Sequence, residues 1–321
     1  MFEYFEGFTE LVKDYVVHYI DIDYSLWITW FLAPLLITFL LPAFIALLLY
    51  FSAFVLYILT LHWRNIKETL QTGDKWEASR KCIAAIWDAH GWIWHGYEVR
   101  GLENLPDTGP ALIIYYHGAI PIDLYYFIAK VIFHKNRVIH PVVDHFLFKV
   151  PGFSILADCM GAIPGTIQTC SNILKQGELL AISPGGVYEA QFSHHYNLMW
   201  KKRMGFAKVA LEAKCPIVPF FTENVRESFR TVSVGRRFFL RIYARFKAPL
   251  APIYGGFPVK MITHVGKPIP YDGSLTPEEL QAKVAAAIED LVQKNQRLPG
   301  NILLALLERI PFFKKKKEKT E

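Results

Sequence analysis

Residues 111–123 read ALIIYYHGAIPID, and this stretch decides the fold class. Residues 111–116 form a continuous apolar run, which predicts a buried strand. The run ends at His117, and Pro121 is suited to the first position of a helix. Asp123 then lies in the first helical turn, where the helix dipole favours a carboxylate. A strand that passes through a short loop into a helix is typical of an α/β protein.

Strand-like and helix-like segments alternate through the rest of the chain. Further apolar runs occupy residues 138–143, 178–183, 217–222 and 260–266. Helical patterns occupy residues 75–94, 124–133, 166–176 and 204–214, and Thr276-Pro277-Glu278-Glu279 opens a last long helix with a capping box. We therefore expect an α/β domain with a largely parallel sheet flanked by helices. Its functional groups should lie at the carboxyl ends of the strands.

His117 and Asp123 are the candidate catalytic residues. A histidine on the loop before a helix can reach a carboxylate in the first helical turn. The carboxylate would fix the imidazole tautomer and stabilise imidazolium, as a base that removes a hydroxyl proton requires. The alternative is a capped helix with an incidental histidine, and the local pattern alone does not choose between the two.

A second motif runs from Pro184 to Glu189 and follows the apolar run 178–183. Its two glycines let the backbone approach a ligand closely and can present amide groups to an oxyanion or a phosphate. We predict that Pro184, Gly185, Gly186 and Glu189 bind substrate. An ordinary turn after a strand is the alternative.

An uncharged segment precedes the domain, since residues 24–61 contain no charged side chain over 38 positions. One bilayer crossing takes about 20 residues, and 38 helical residues would extend about 57 Å against a hydrocarbon core of about 30 Å. Pro34 and Pro42 can each break a helix. We therefore predict a transmembrane hairpin of two short spans, residues 24–41 and 43–62. A single kinked and tilted span is the alternative.

Charge on either side of this segment predicts its orientation. Acidic residues precede it and basic residues follow it, so the chain after residue 61 should face the cytosol. The predicted organisation is an acidic N-terminal segment (1–23), a membrane anchor (24–62), a linking helix (63–96), a cytosolic domain (97–297) and an apolar, then polybasic tail (298–321). Lys317 and Lys319 resemble a dilysine retrieval signal, which indicates the endoplasmic reticulum.

Composition excludes several classes of protein. The chain is 52% hydrophobic and has a mean hydropathy of +0.21, so it is neither disordered nor collagen-like. A net charge of +6 suits an anionic membrane surface but is too small and dispersed to indicate nucleic-acid binding. The four cysteines form no C-x-x-C pair and predict neither a disulfide framework nor a metal site.

Three other groups of side chains remain open. His90 and His95 lie among tryptophans, a cluster more typical of packing than of a site. Asp144 and His145 could form a rival pair, but neighbouring strand residues point to opposite faces. The run Lys201-Lys202-Arg203 could receive phosphate or lipid headgroups, with a solvated basic loop as the alternative.

Taken in order, these motifs resemble the lysophospholipid acyltransferase superfamily, the PlsC-like glycerolipid acyltransferases. The likeness is to the neutral-lipid branch of that superfamily, and it covers residues 97–294. Its blocks are Gly101-Leu102-Glu103-Asn104-Leu105-Pro106, the segment 117–123, Phe148-Lys149-Val150-Pro151-Gly152, Pro184-Gly185-Gly186-x-x-Glu189, Arg203-x-Gly205-Phe206-Ala207-Lys208, Pro216-Ile217-Val218-Pro219 and Gly266-Lys267-Pro268-Ile269.

The resemblance implies a membrane-bound acyltransferase of the glycerolipid acyltransferase fold. By this likeness His117 deprotonates the acceptor hydroxyl, which attacks an acyl carbonyl, and Asp123 orients the histidine. Membrane lipids would be the partners, and the acyl donor would be acyl-CoA or a phospholipid. No metal or redox cofactor is implied.

This chain departs from the family pattern in two places, of which the first concerns the pairing of His117 with Asp123 and the second concerns the substrate. Five residues separate His117 from Asp123 where the family usually has four. Phosphatidate-forming members carry a Glu-Gly-Thr-Arg block whose basic residue holds the phosphate, but this chain has Gly186-Val187-Tyr188 there. Without that guanidinium a phosphate loses bidentate hydrogen bonds. We therefore expect mono- or diacylglycerol as acceptor and triacylglycerol as final product. Lysophospholipid acylation and a non-catalytic lipid-binding scaffold are the alternatives.

Overall fold

The computed structural model describes residues 24–66, 76–145, 147–232, 235–246 and 251–310. These residues contain a seven-stranded sheet with the strand order β1-β9-β6-β2-β5-β3-β4. Its strands are β1 (Glu98–Arg100), β2 (Ala111–Tyr115), β3 (Ile139–Val143), β4 (Ile163–Pro164), β5 (Leu179–Ile182), β6 (Ile217–Thr222) and β9 (Ile262–Val265). A separate antiparallel pair joins β7 (Phe229–Thr231) to β8 (Ile253–Gly255).

The apolar strand β2 lies at the centre of the sheet, and all five of its residues are buried. It pairs in parallel with β5 on one side and β6 on the other, so that Ile113 lies opposite Ala181 and Val218. Within this sheet β6 and β9 are the antiparallel neighbours. The predicted largely parallel sheet is confirmed. The carboxyl ends of β2, β5 and β3 consequently meet at one edge of the sheet, where the functional groups are expected.

Helices flank the sheet, as the sequence predicts. They are α1 (Tyr24–Ile66), α2 (Glu77–His95), α3 (Ile122–Lys135), α4 (Phe153–Cys159), α5 (Ile167–Lys175), α6 (Gly186–Phe192), α7 (Gly205–Ala213), α8 (Val225–Ser228), α9 (Arg236–Phe246), α10 (Pro277–Asn295) and α11 (Ile302–Leu307). The predicted capping box opens α10: Thr276 Oγ1 accepts the Glu279 N–H at 3.2 Å, and Glu279 Oε2 accepts the Thr276 N–H at 2.8 Å.

The uncharged segment forms one helix, so the predicted hairpin of two spans is wrong. α1 continues for 43 residues through Pro34 and Pro42 and is about 65 Å long at 1.5 Å per residue. A proline removes one backbone hydrogen bond but does not reverse the chain, and residues 24–61 contain no glycine, asparagine or aspartate to form a tight turn. The stretch Thr29–Tyr57 is long and apolar enough to cross a membrane, which suggests membrane association.

The central turns of α1 pack against the domain on one side. Four of its described side chains are buried there: Ile45, Ser52, Ala53 and Leu56. Gly256 has a positive φ of 87°, and a Cβ at that position would lie 2.5 Å from Leu41 Cβ, so only glycine permits this approach of the helix. On its other side α1 is exposed, with Trp30 70% and Leu47 65% accessible. These exposed apolar side chains suit a lipid environment.

Several predicted segments lie outside the described residues. They are the acidic segment 1–23, residues 67–75 of the predicted linking helix, and residues 311–321 with the predicted dilysine signal. The predicted helix over 75–94 is confirmed as α2, which packs along α3 of the domain.

Candidate active site

His117 lies on the loop that follows β2, at the edge of the sheet. Its backbone N–H donates to Glu189 Oε1 at 3.0 Å, and its ring Nδ1 lies 2.7 Å from the carbonyl oxygen of Gly118. Because a carbonyl only accepts hydrogen bonds, Nδ1 carries the proton and Nε2 is left as the basic nitrogen. The arrangement presents a neutral imidazole with a free lone pair, as a general base requires.

Burial lowers the pKa of His117 below its ordinary value of 6.5, and the hydrogen bond to Gly118 offsets only part of this effect. A base works in its neutral form, which is the form above the pKa. We therefore expect the acidic limb of the pH dependence of kcat/KM to have its midpoint below pH 6.5. A midpoint near 7 would instead implicate Asp123 or Glu189, since burial raises the pKa of each of these carboxyl groups to about 7.

Asp123 occupies the first turn of α3, as predicted, but it does not bond to the His117 ring. Asp123 is 1% exposed, and burial raises its pKa to about 7, an effect that the nearby Thr222 hydroxyl and the backbone N–H groups of its own helix turn partly offset. Oδ1 has no partner among the described residues. The predicted contact between Asp123 and the imidazole is therefore absent, because the carboxyl turns toward β6 and the Gly118 carbonyl takes Nδ1.

The Pro184-Gly185-Gly186 loop follows β5 and is held by Arg203. The guanidinium donates from Nη1 to the carbonyl oxygens of Pro184 at 3.1 Å and Gly185 at 2.7 Å. Gly186 adopts a positive φ of 49°. Gly186 and Arg203 both line an apolar cavity beside His117, the main cavity. Pro184 lines a smaller neighbouring cavity instead. Of the predicted substrate-binding glycines, the structure thus places Gly186 on the wall of the main cavity.

Glu189 is fully buried and faces the protein rather than the cavity. Its Oε1 accepts the His117 N–H and its Oε2 accepts the Met199 N–H at 2.8 Å. Both carboxylate oxygens are thus engaged by backbone groups, and this geometry does not fit the predicted role in substrate binding. The geometry instead makes Glu189 a positioning residue, which ties the His117 loop to α6.

An apolar cavity of about 580 Å³ lies beside His117. That volume falls within the range of about 300–1,000 Å³ common for small-molecule sites. Most of its wall is aliphatic or aromatic, and α1 contributes Leu49. The polar side chains on the wall are His117, Tyr115, Tyr125, Asp144, His145, Ser183, Gln191 and Arg203. The shape and lining suit a hydrocarbon chain whose reactive end lies near the imidazole.

Asp144 and His145 both line this cavity, contrary to the expectation from strand geometry. The reason is that β3 ends at Val143, so the two residues lie in a turn and not on alternate faces of a strand. Both are exposed, and they lie at the third strand end that contributes to the site.

The sequence analysis missed two polar side chains on the cavity wall. Gln191 is 5% exposed and neither of its side-chain polar atoms has a partner among the described residues; the same holds for Ser183 Oγ. Buried polar atoms are normally hydrogen-bonded, so these groups are suited to contact a bound molecule. The available signal was their position in the sequence, since Ser183 directly precedes the predicted glycine motif and Gln191 follows its last residue by two positions.

Comparison with known proteins decides the family. A family model described as Acyltransferase matches residues 96–223. The Bos taurus protein named "DGAT1/2-independent enzyme synthesizing storage lipids" is 49% identical over 299 residues, which cover 93% of this chain and 88% of that protein. The chain belongs to the PlsC-like glycerolipid acyltransferase superfamily. It lies in the neutral-lipid branch that the sequence motifs indicated.

A second relative and a solved structure agree with this finding. The Homo sapiens protein of the same name is 48% identical and aligns over 94% of this chain and 90% of its own length. Among solved structures, the 1-acyl-sn-glycerophosphate acyltransferase PlsC from Thermotoga maritima matches with a TM-score of 0.50. It is 17% identical in sequence, and the match covers 79% of this chain and 97% of PlsC. This likeness confirms the fold.

Proposed function

We propose that this glycerolipid acyltransferase esterifies the free hydroxyl of mono- and diacylglycerol and so makes triacylglycerol, with His117 as the general base. The observation that supports this most strongly is the His117 ring, whose Nε2 is left basic on the wall of a large apolar cavity. The names of the relatives, enzymes that synthesise storage lipids, agree with such a product.

The charge of the cavity wall supports a neutral acceptor. Of the described lysines and arginines, only Arg203 lines the cavity, and its Nη1 is engaged by two loop carbonyl oxygens. A phosphate needs a desolvated cation with free donors to compensate its charge. An uncharged glyceride hydroxyl makes no such demand and suits a wall that is mostly hydrocarbon.

The reaction proceeds in two proton-balanced steps. His117 Nε2 accepts the proton of the glyceride hydroxyl while that oxygen bonds to the acyl carbonyl carbon, which gives a tetrahedral oxyanion. The oxyanion then collapses, the bond to the leaving group breaks, and the imidazolium returns its proton to the departing sulfur or oxygen. Gln191 and Ser183 are the buried donors on the wall that can stabilise the oxyanion.

The role proposed for Asp123 is indirect. Its buried carboxyl lies near the Thr222 hydroxyl of β6 and so helps to fix the first turn of α3, which ends the loop that carries His117. The Gly118 carbonyl performs the task expected of the aspartate, since it selects the tautomer with Nδ1 protonated. Asp123 is in this proposal a positioning residue.

The proposed reaction balances without a metal or redox cofactor. Acyl-CoA and a membrane phospholipid are both competent donors, because each offers an acyl carbonyl and a leaving group that accepts the returned proton. The membrane lipids are then acceptor, product and, in the second case, donor.

We place the enzyme in the endoplasmic reticulum membrane with the domain in the cytosol. The apolar helix α1 and the basic residues after it support this placement. In sealed microsomes, external protease should therefore digest the domain without detergent. Protection of the domain until detergent is added would reverse the orientation.

An acceptor panel tests the proposed substrate. With purified protein in phospholipid nanodiscs and a labelled acyl donor, we expect diacylglycerol to be acylated at least about tenfold faster than lysophosphatidate, the ratio given by about 1.4 kcal/mol of lost charge compensation. The panel includes lysophosphatidylcholine as well. Faster acylation of either lysophospholipid would favour phospholipid remodelling instead and would refute the neutral acceptor.

A further inference from the structure

A second cavity, of about 220 Å³, lies between α1 and α2 and shares no lining residue with the active-site cavity. We call it the histidine cavity. Its wall includes Leu41, Phe44 and Ile45 of α1 and His90, Trp94 and His95 of α2. An engineered apolar cavity of about 150 Å³ already holds a benzene ring. The histidine cavity is thus large enough for a segment of a lipid.

His95 lines this cavity and carries an unsatisfied acceptor. The residue is fully buried, and its Nδ1 lies 3.0 Å from the carbonyl oxygen of Val259, so Nδ1 carries the proton. Its Nε2 then has a lone pair, and it has no hydrogen-bond partner in the part of the chain that the structure describes. An acceptor left without a donor in such a place costs free energy that a bound hydroxyl would recover.

The other polar groups of the wall are already engaged. The indole N–H of Trp94 donates to the Gly256 carbonyl at 2.7 Å, and His90 Nδ1 lies 2.7 Å from the Tyr126 hydroxyl. A buried water needs two to four polar partners, so a single free acceptor in an apolar wall suits an amphiphile better than water. None of the described charged residues lines the cavity, which disfavours an ionic ligand.

The wall of the cavity includes apolar side chains that are exposed on the surface of the protein. Phe44 and Trp94 belong to its wall and are 52% and 36% exposed. Phe44 lies within the apolar stretch of α1, and Trp92 and Ile93 beside Trp94 are exposed as well. A molecule can therefore enter from the bilayer without crossing water.

We propose that the histidine cavity is a second lipid site, which takes an uncharged lipid with a hydroxyl group and holds that hydroxyl on His95 Nε2. Acylglycerols and sterols share this chemistry. Because the two cavities have separate walls, occupancy does not require turnover at His117. The site would let the enzyme sense or hold a hydroxyl-bearing lipid beside its active site.

Photo-crosslinking tests the proposal on the full-length protein in phospholipid nanodiscs. The probes are photoreactive, clickable diacylglycerol and cholesterol, each paired with its O-acetyl derivative, which lacks the hydroxyl. We expect at least one hydroxyl probe to label residues 41–45 or 90–95 roughly 3- to 10-fold more than its acetylated partner, the preference that one hydrogen bond gives. The two probes tell an acylglycerol site from a sterol site.

Variants test whether the photo-crosslinked lipid lies in the histidine cavity itself. Ile45→Phe fills the cavity and should reduce labelling by about 5-fold or more, whereas Leu47→Phe adds the same ring on the exposed side of α1 and should not. His95→Asn keeps a donor for Val259 but removes Nε2, and should abolish the hydroxyl preference. Labelling should persist in His117→Ala, which distinguishes this site from the active site.

Three outcomes would overturn the proposal. The first is equal labelling by the hydroxyl and acetylated probes in the wild-type protein. The second is the absence of label from both segments with either lipid, as expected if the cavity holds only water. The third is labelling that disappears in His117→Ala, which would assign the probe to the active site. If His95→Asn unfolds, the comparison of labelling in Ile45→Phe with labelling in Leu47→Phe still tests the proposal.

Discussion

His117→Ala lowers the rate of acyl transfer by about 10²- to 10⁴-fold, the usual contribution of a general base. The expected loss is in kcat, because the variant retains the apolar wall that binds the substrates. The measurement is the initial rate of triacylglycerol formation from diacylglycerol and a labelled donor. Thermal unfolding should show that the variant remains folded, since the His117 backbone N–H still donates to Glu189.

The matched control for this variant is His145→Ala. His145 is the other histidine on the described wall of the active-site cavity, and it is exposed. Its loss should change the rate by no more than about threefold, which is less than 1 kcal/mol in barrier height. If His117→Ala kept more than a tenth of wild-type activity, or if His145→Ala lost as much, His117 would not be the base. If the protein were instead a non-catalytic lipid-binding scaffold, both variants would keep its cellular effect.

Gly185→Ala is the second change with a large expected effect. A Cβ at Gly185 would lie 2.3 Å from Glu189 Cδ and 2.4 Å from Glu189 Cβ, so the carboxylate must move. Overpacking of this kind typically costs about 1–3 kcal/mol of stability. Movement of Glu189 also displaces the His117 backbone, and a misplacement of about 1 Å can cost about 10²-fold in rate. Activity and the denaturation midpoint should therefore fall together.

Gly205→Ala is the control for the glycine substitution. A Cβ at Gly205, the first residue of α7, meets nothing within 4 Å. Alanine there should leave the rate unchanged and should raise stability by up to about 1 kcal/mol, because it restricts the unfolded chain. Wild-type activity in Gly185→Ala would show that the contact between the glycine loop and Glu189 does not position the base.

The parallel sheet could be predicted because its central strands are buried on both faces. Such strands appear in the sequence as continuous apolar runs, as in residues 111–116 and 178–183. The capping box at Thr276 is equally local, since it depends on residues three positions apart. The strands β7 and β8 could not be predicted, because each has three residues and so short a segment shows no informative hydrophobic periodicity.

The path of α1 could not be predicted from its composition. Proline weakens a helix interior, but whether the helix ends there depends on what the neighbouring turns contact. Here Ile45 and Leu56 are buried on the same side of one continuous helix, which packs against the domain. That packing involves residues such as Gly256, about 200 positions away, which no local pattern reveals.

The sequence indicated which residues to consider for the candidate site, but it did not indicate their hydrogen-bond partners. His117 could be proposed because a histidine directly after a buried strand lies at the edge of a parallel sheet where functional groups are expected. Asp123 lies near Thr222 on β6, and the hydrogen-bond partners of Glu189 are backbone groups of His117 and Met199. These choices are made by tertiary structure, so spacing along the chain pointed to the wrong hydrogen bonds.

A structure of the enzyme with diacylglycerol and a non-transferable acyl-CoA analogue tests the central claim most directly. The account predicts that the free hydroxyl oxygen lies about 2.6–3.2 Å from His117 Nε2, the reach of a general base. It also predicts that Nδ1 remains on the Gly118 carbonyl. A hydroxyl bound elsewhere in the cavity, or an imidazole turned so that Nε2 faces away from it, would contradict the account.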